Sequence, residues 1–120
     1  MSRSVLLQLA RDSIQEVLQA EVTIKRDALV DEHPLLAEKI PLCVNLYIEQ
    51  ELRGSSRNVD DTASLVDSII LHAKKAAFQD KNFKPISTSE YLECEIELVL
   101  TTPEGIISES DSPIIANNTI

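Results

Sequence analysis

Glycine is scarce in this chain: Gly54 and Gly105 are the only two. A GxGxxG dinucleotide loop or a Walker A loop cannot be written with them, so phosphate cradling by either loop is excluded. Cysteine is equally rare. Cys43 and Cys94 cannot furnish a four-cysteine zinc site. Two lone thiols fit reduced, core-facing residues better than a disulfide framework. Positive charge is short as well, with 11 Lys and Arg against 20 Asp and Glu, a net charge of −9. That balance argues against nucleic-acid binding, which needs a basic footprint, and against docking on an anionic membrane. Long apolar runs are missing too. No stretch approaches the roughly 18 residues of a membrane span, and Gln8, Arg11 and Asp12 interrupt what an export signal would keep apolar. A cytoplasmic location is expected.

What remains is enough for one domain. The chain has 120 residues, 43% of them hydrophobic, and a chain of this length should bury roughly two-thirds of its unfolded surface around a single core. No internal repeat and no linker divides it.

Residues 4–20 carry a helical period. Leu7, Ala10, Ile14 and Val17/Leu18 recur at spacings of three and four, Leu6 and Leu9 widen the stripe, and Arg11, Asp12, Gln15, Glu16 and Gln19 fill the other face. Ser4 suits the N-cap. Val22 and Ile24 alternate with polar residues as in a short strand or extended segment, and Pro34 and Pro41 bracket a short helix over 35–39. Residues 42–48 alternate Leu42, Val44, Leu46 and Ile48 on one face. Residues 51–56 return antiparallel through Glu49-Gln50, poor chemistry for a two-residue turn. A second helix is expected over 60–79, with Asp60 and Asp61 at its start and Lys74 and Lys75 toward its end, each favourable for the helix dipole. Residues 93–101 set Cys94, Ile96, Leu98 and Leu100 against Glu95, Glu97, Val99 and Thr101, a half-solvated strand that ends at Pro103. Ile106-Ile107 or Ile114-Ile115 adds a further short strand, and 107–120 reads as a mobile tail. The order implies an α+β fold: an antiparallel sheet with two main helices packed on one face.

The chemistry-bearing residues are sparse. His33 precedes a proline in a charged stretch, and His72 lies at the margin of a buried helical stripe. Neither has a ligand-spaced partner, so no metal site is expected. Ser55 and Ser56 follow Gly54 without a GxSxG elbow. A serine nucleophile needs a base within reach, and no spacing brings His72 there. The carboxylates Glu49, Glu51, Asp60, Asp61, Glu93, Glu95 and Glu97 read as solvated faces. No catalytic residue and no cofactor are expected. The most informative stretch is Leu52-Arg53-Gly54-Ser55-Ser56-Arg57. Its glycine marks a bulge or a positive-φ turn. Arg53 and Arg57 either clamp a carboxylate or phosphate, or pair with nearby acids.

These segments, taken in order, resemble the AMMECR domain family, named for the critical region of a human contiguous-gene syndrome. Leu6-Leu7-Gln8-Leu9-Ala10-Arg11 with Ile14 resembles the family's opening helix. Leu42 to Gly54 is similar to its strand–turn–strand, which ends in Leu-Arg-Gly-Cys-Ile-Gly. Leu65 to Phe78, then Asp80, Phe83 and Pro85, resembles its second helix and Asp-Pro-Arg-Phe-Pro-Pro exit, and Glu90 to Pro103 its following strand. The resemblance is collinear up to Ile106. The departures fall at the motif. The family cysteine falls on Ser55, its isoleucine on Ser56, its second glycine on Arg57, the exit arginine on Asn82 and the hairpin glycine on Gln50. A serine hydroxyl is far less nucleophilic than a thiol without an activating base.

The resemblance implies one short, diverged AMMECR-like domain over 1–120 that lacks the family's C-terminal segment. Its sheet then misses a neighbour strand, and an open edge invites a homodimer. The family has no settled biochemical activity. Its bacterial and archaeal members are often associated with a Memo-like protein and a radical-SAM enzyme, which implies an accessory role. Arg53, Gly54, Ser55, Arg57, Asp80 and Asn82 form the candidate set for a partner or ligand. Three readings follow: a non-catalytic interaction module, a small anionic-ligand or enzyme-component role at the Arg53-Gly54-Ser55 loop, and a stable fold without a site.

Overall fold

The computed structural model describes residues 4–57 and 63–114. Four antiparallel strands run β1 (Leu42–Ile48), β2 (Glu51–Arg57), β3 (Glu95–Thr102) and β4 (Gly105–Asp111), in the spatial order β2-β1-β3-β4. The two long helices, α1 (Val5–Gln19) and α3 (Leu65–Phe78), pack on each other and on one face of the sheet. The α+β architecture expected from the element order is the one observed.

Each long element follows from local chemistry. Ser4 caps α1, its hydroxyl accepting from the Leu7 N–H at 3.2 Å. Ala20 ends the helix in the left-handed region at φ 53°. Leu42, Val44 and Leu46 of β1 and Ile96, Leu98 and Leu100 of β3 turn one face of the sheet toward Ile14, Leu65, Ile69 and Ala73. Among the described residues no helix is long and apolar enough to cross a membrane.

Several local expectations need correction. Of the two readings of Val22–Ile24 the strand is not formed, residues 21–25 having no regular secondary structure, and a helix that the residue pattern did not suggest, α2 (Arg26–Glu32), follows. Pro34 opens a 3-10 turn over Pro34–Ala37 rather than a helix over 35–39. The second long helix covers 65–78, and Asp60, Asp61 and Thr62 lie outside the described residues. Residues 88–93 form α4 (Thr88–Glu93), so β3 begins at Glu95. Ser87 and Glu90 make a reciprocal capping box there. Of the segment read as a tail, residues to Asp111 belong to β4, and 115–120 lie outside the described residues.

Two charged residues placed on the polar face of α1 are buried instead. Arg11 is 1% exposed. Its guanidinium donates to Asp111 Oδ2 at 2.6 Å, to the Cys94 carbonyl at 2.7 Å, to the Ser112 carbonyl at 3.0 Å and to the Tyr91 carbonyl at 3.1 Å. It also lies 5.3 Å from the Tyr91 ring centroid. One side chain thus ties α1 to the ends of α4 and β4. Glu16, 8% exposed, accepts from the Thr23 and Ile24 N–H groups, each at 2.7 Å, and from Lys74 Nζ at 3.1 Å. It fixes the chain leaving α1 and reaches across to α3.

The β1–β2 connection is a two-residue turn at Glu49-Gln50 with φ of 52° and 70°. It adopts the positive-φ geometry of a tight hairpin without the glycine or asparagine that relieves it. Further along, Leu46 pairs with Gly54 while Tyr47 pairs with Leu52, which leaves Arg53 as the extra residue of a bulge.

Candidate functional site

The six candidate residues gather along the edge of β2. Gly54 sits where β2 runs under α3. A Cβ built on it would lie 2.1 Å from the Ala76 carbonyl oxygen. The glycine therefore permits close approach of strand and helix; the bulge falls on its neighbour Arg53, and the positive φ is at Gly105.

Arg53, re-aimed by the bulge, is engaged within the fold. Its Nε and Nη2 donate to the two carboxylate oxygens of Glu90 at 2.9 and 3.1 Å, and the guanidinium lies 5.5 Å from the Phe83 ring centroid. Glu90 in turn receives the Ser87 N–H of its capping box. Its pKa lies below the usual glutamate value, held there first by Arg53, against the opposing effect of burial, with help from the Ser87 backbone.

Asp80 occupies the strand edge. Its Oδ2 accepts the Ser55 N–H at 2.9 Å, and its Oδ1 accepts the Asn82 N–H at 2.8 Å. One carboxylate shapes the turn after α3 and satisfies an edge donor of β2. Asn82 and Arg57 have exposed side chains.

Ser55 points to the sheet face away from the helices and joins a network that the residue pattern did not single out. Its hydroxyl donates to Asn45 Oδ1 at 2.7 Å. Asn45 Nδ2 donates to Glu97 Oε1 at 2.9 Å, and the Tyr47 hydroxyl donates to the same oxygen at 3.2 Å. Cys43 Sγ lies 3.5 Å from Asn45 Oδ1 and 4.0 Å from Ser55 Oγ. Burial raises the Tyr47 pKa, and Glu97 raises it further, so the phenol stays a donor. The pairs Ser55–Asn45, Asn45–Glu97 and Glu97–Ser110 set a row across all four strands. The available signal was the i, i+2 spacing of Cys43, Asn45 and Tyr47; the register that brings them to Ser55 and Glu97 is set by tertiary pairing. Cys43 accordingly lies half-buried on this open face, not in the core as expected, whereas Cys94 is buried. Burial pushes the Cys94 thiol up, against the opposing effect of Arg11.

The chemistry available to Ser55 is limited by its partner. An amide oxygen accepts its proton but cannot remove it, so this hydroxyl is not activated as a nucleophile. Ser56 is different. It pairs with Val44 on the helix-facing side, and its Oγ is 2.7 Å from His72 Nδ1. Sequence spacing gave no reason for His72 to meet a serine; the approach of α3 to β2 brings them together. His72 is 8% exposed, inside the buried stripe rather than at its margin. Among the described residues no three His, Cys, Asp or Glu side chains gather as a metal set.

Comparison with known proteins places this geometry in a family. The AMMECR1 family model matches residues 7–116. Protein LS215_2104 of Saccharolobus islandicus strain L.S.2.15 is 35% identical over 106 residues, covering 84% of this chain and 45% of the relative. Protein M1425_1941 of strain M.14.25 matches with the same figures. The chain thus spans about half the length of the curated relatives it matches. The crystal structure of an uncharacterized protein, PH0010, from Pyrococcus horikoshii superposes with a TM-score of 0.72 at 29% identity, covering 82% of this chain and 50% of that one.

Proposed function

The chain belongs to the AMMECR1 family, and from that premise we propose that it acts as a non-catalytic interaction module, an accessory component that holds a protein partner at the β2 rim and the adjoining open sheet face. The observation that carries this reading is how the rim is built. Arg53, the Ser55 N–H and Asp80 spend their polar groups on one another's surroundings. They form a rigid frame, and Arg57 and Asn82 stand out from it with exposed side chains. Beside the rim, the hydrogen-bonded row Ser55–Asn45–Glu97 gives a patterned polar surface of the kind that selects a partner by complementarity. Binding of a small anion by both arginines fits less well, because Arg53 would have to leave Glu90 first.

The partner class follows from the family resemblance: a radical-SAM enzyme or a Memo-like protein, met in the cytoplasm. Affinity capture from the native organism, with mass spectrometry, tests it. Wild type and an Arg57→Ala, Asn82→Ala double variant are run side by side. Recovery of such an enzyme by wild type and its loss in the variant supports the module and its rim. Capture of neither class overturns the partner assignment, and capture unaffected by the variant overturns the rim.

The Ser56–His72 pair supplies a second test. On the non-catalytic reading a fluorophosphonate probe leaves Ser56 unmodified. Labelling of Ser56 that is lost in His72→Gln would establish an activated serine and overturn the reading.

A further inference from the structure

We propose that the cleft between α1 and α2 is a docking site for a lysine side chain presented by a protein partner. The proposal does not rest on the partner reading above: the cleft belongs to the helix layer, and that reading uses the β2 rim and the uncovered sheet face.

The cleft has a volume of about 290 Å³. Its walls are α1, the segment 23–25 and α2, and the fold holds each of them. Ala20 ends α1 in the left-handed region, and the Glu16 carboxylate takes the Thr23 and Ile24 N–H groups, which keeps that segment against α1. At the start of α2, Arg26 Nε and Nη2 donate to the two carboxylate oxygens of Asp67 on α3 at 2.7 and 3.0 Å. Leu29 packs against the core. The cleft therefore exists before anything enters it, which lowers the ordering cost of binding.

Its chemistry is amphipathic. Ile24 and Leu29, half-buried, and the short, exposed Ala28 supply aliphatic surface. Asp12 and Glu32 bring two carboxylates against the single ammonium of Lys25, and Lys25 forms an ion pair with neither of them. The complement of this lining is a flexible aliphatic stem that ends in a positive charge. A lysine has both: its stem covers apolar surface while its head stays at a polar mouth. An arginine fits less well. Its planar fork prefers both oxygens of one carboxylate, and Asp12 Oδ1 already accepts from Gln8 Nε2 at 2.9 Å. An ammonium is a point charge and needs only the oxygen that remains. The chain as a whole carries −9, so a basic partner is also attracted at long range.

Titration of isotope-labelled protein with Nα-acetyl-lysine methylamide, followed by amide chemical shifts, tests the proposal. The lysine probe is expected to move the amides of Thr23, Ile24, Ala28 and Leu29, with an affinity on the order of millimolar that falls as NaCl rises. The norleucine analogue has the same stem without the ammonium. It is expected to bind about fivefold more weakly, the scale of one exposed ion pair. Asp12→Asn with Glu32→Gln is expected to erase that difference between the probes, and Lys25→Ala to strengthen the lysine probe. Ala28→Leu fills the cleft from an exposed helical position and is expected to abolish binding with the far-UV spectrum retained. Glu104→Gln, remote from the cleft, is expected to bind like wild type. No shift at these amides up to the solubility of the lysine probe overturns the proposal. So does equal binding of the two probes by wild type, or a lysine affinity that is lost in Lys25→Ala. Binding of n-butylammonium with exclusion of the lysine probe would assign the cleft to a free amine and overturn the partner assignment.

Discussion

Replacing Gly54 by alanine is expected to be among the most damaging single-methyl changes in the molecule. The added Cβ would sit 2.1 Å from the Ala76 carbonyl oxygen and 3.1 Å from its carbonyl carbon. Both are backbone atoms in the last turn of α3, so no side chain can swing aside. Either α3 lifts from β2 or β2 bends outward, and each opens the packing of Leu46 and Ala76. Overpacking a close-packed site costs about 1–3 kcal/mol and occasionally more, and a clash with rigid backbone belongs at or above the upper end. A domain of this length has roughly 6–18 kcal/mol of stability in total, so a loss of about 3 kcal/mol is a large share. It should lower the melting temperature by roughly 10 °C or more. Urea denaturation of the two proteins, read by circular dichroism, measures it. A second variant sharpens the test: Ala76→Gly removes a methyl but leaves the carbonyl, so it must not rescue Gly54→Ala. An unchanged urea midpoint in Gly54→Ala, or full rescue by Ala76→Gly, would refute the close-approach argument.

Three further predictions concern the same fold. Arg11→Met should cost about 3–5 kcal/mol, because it strips a buried guanidinium from Asp111 and three carbonyl groups; adding Asp111→Asn should recover part of that, and a double-mutant cycle in urea checks the coupling. For Glu16, burial pushes the pKa up, yet the Ile24 and Thr23 N–H groups and Lys74 outweigh it and hold the pKa below the ordinary 4.5. A depressed carboxylate stabilises the fold above its unfolded pKa, and that contribution is lost as pH falls through the folded value. The acid limb of the stability curve, below about pH 4.5, should therefore be flatter in Glu16→Gln, and an acid limb identical to wild type in urea titrations would contradict this. Gln50→Gly should stabilise by roughly 1 kcal/mol, since it relieves a non-glycine φ of 70°; thermal melts showing no gain would mean the turn is not strained.

Much of this was legible in the residues. The period of 3.6 in α1 and α3 and the period of two in β1 and β3 are local properties, and each is preserved because one side of each element must leave water. The hairpin, the antiparallel sheet and the helix-covered face followed from their order. Short elements were less legible. Hydrophobic periodicity needs several turns to show, and α2 and α4 have seven and six residues. For α4 the Ser87–Glu90 capping box was the available signal.

Residue pattern along the chain dictates which side chains are buried as stripes and strands, and it marks Leu52 to Arg57 as the unusual stretch. The tertiary structure alone decided what each polar group in that stretch faces. Arg53 meets Glu90 from 37 residues away, Ser55 meets Asp80 from 25 residues away, and Ser56 meets His72 from 16. Arg11 entered the core only because Asp111, 100 residues later, arrived beside it. A hydrophobic side chain needs only the absence of water, so its pattern can be read along the chain. A buried polar group needs a particular partner at hydrogen-bond distance, and which partner arrives is fixed by register and by the packing of helix on sheet.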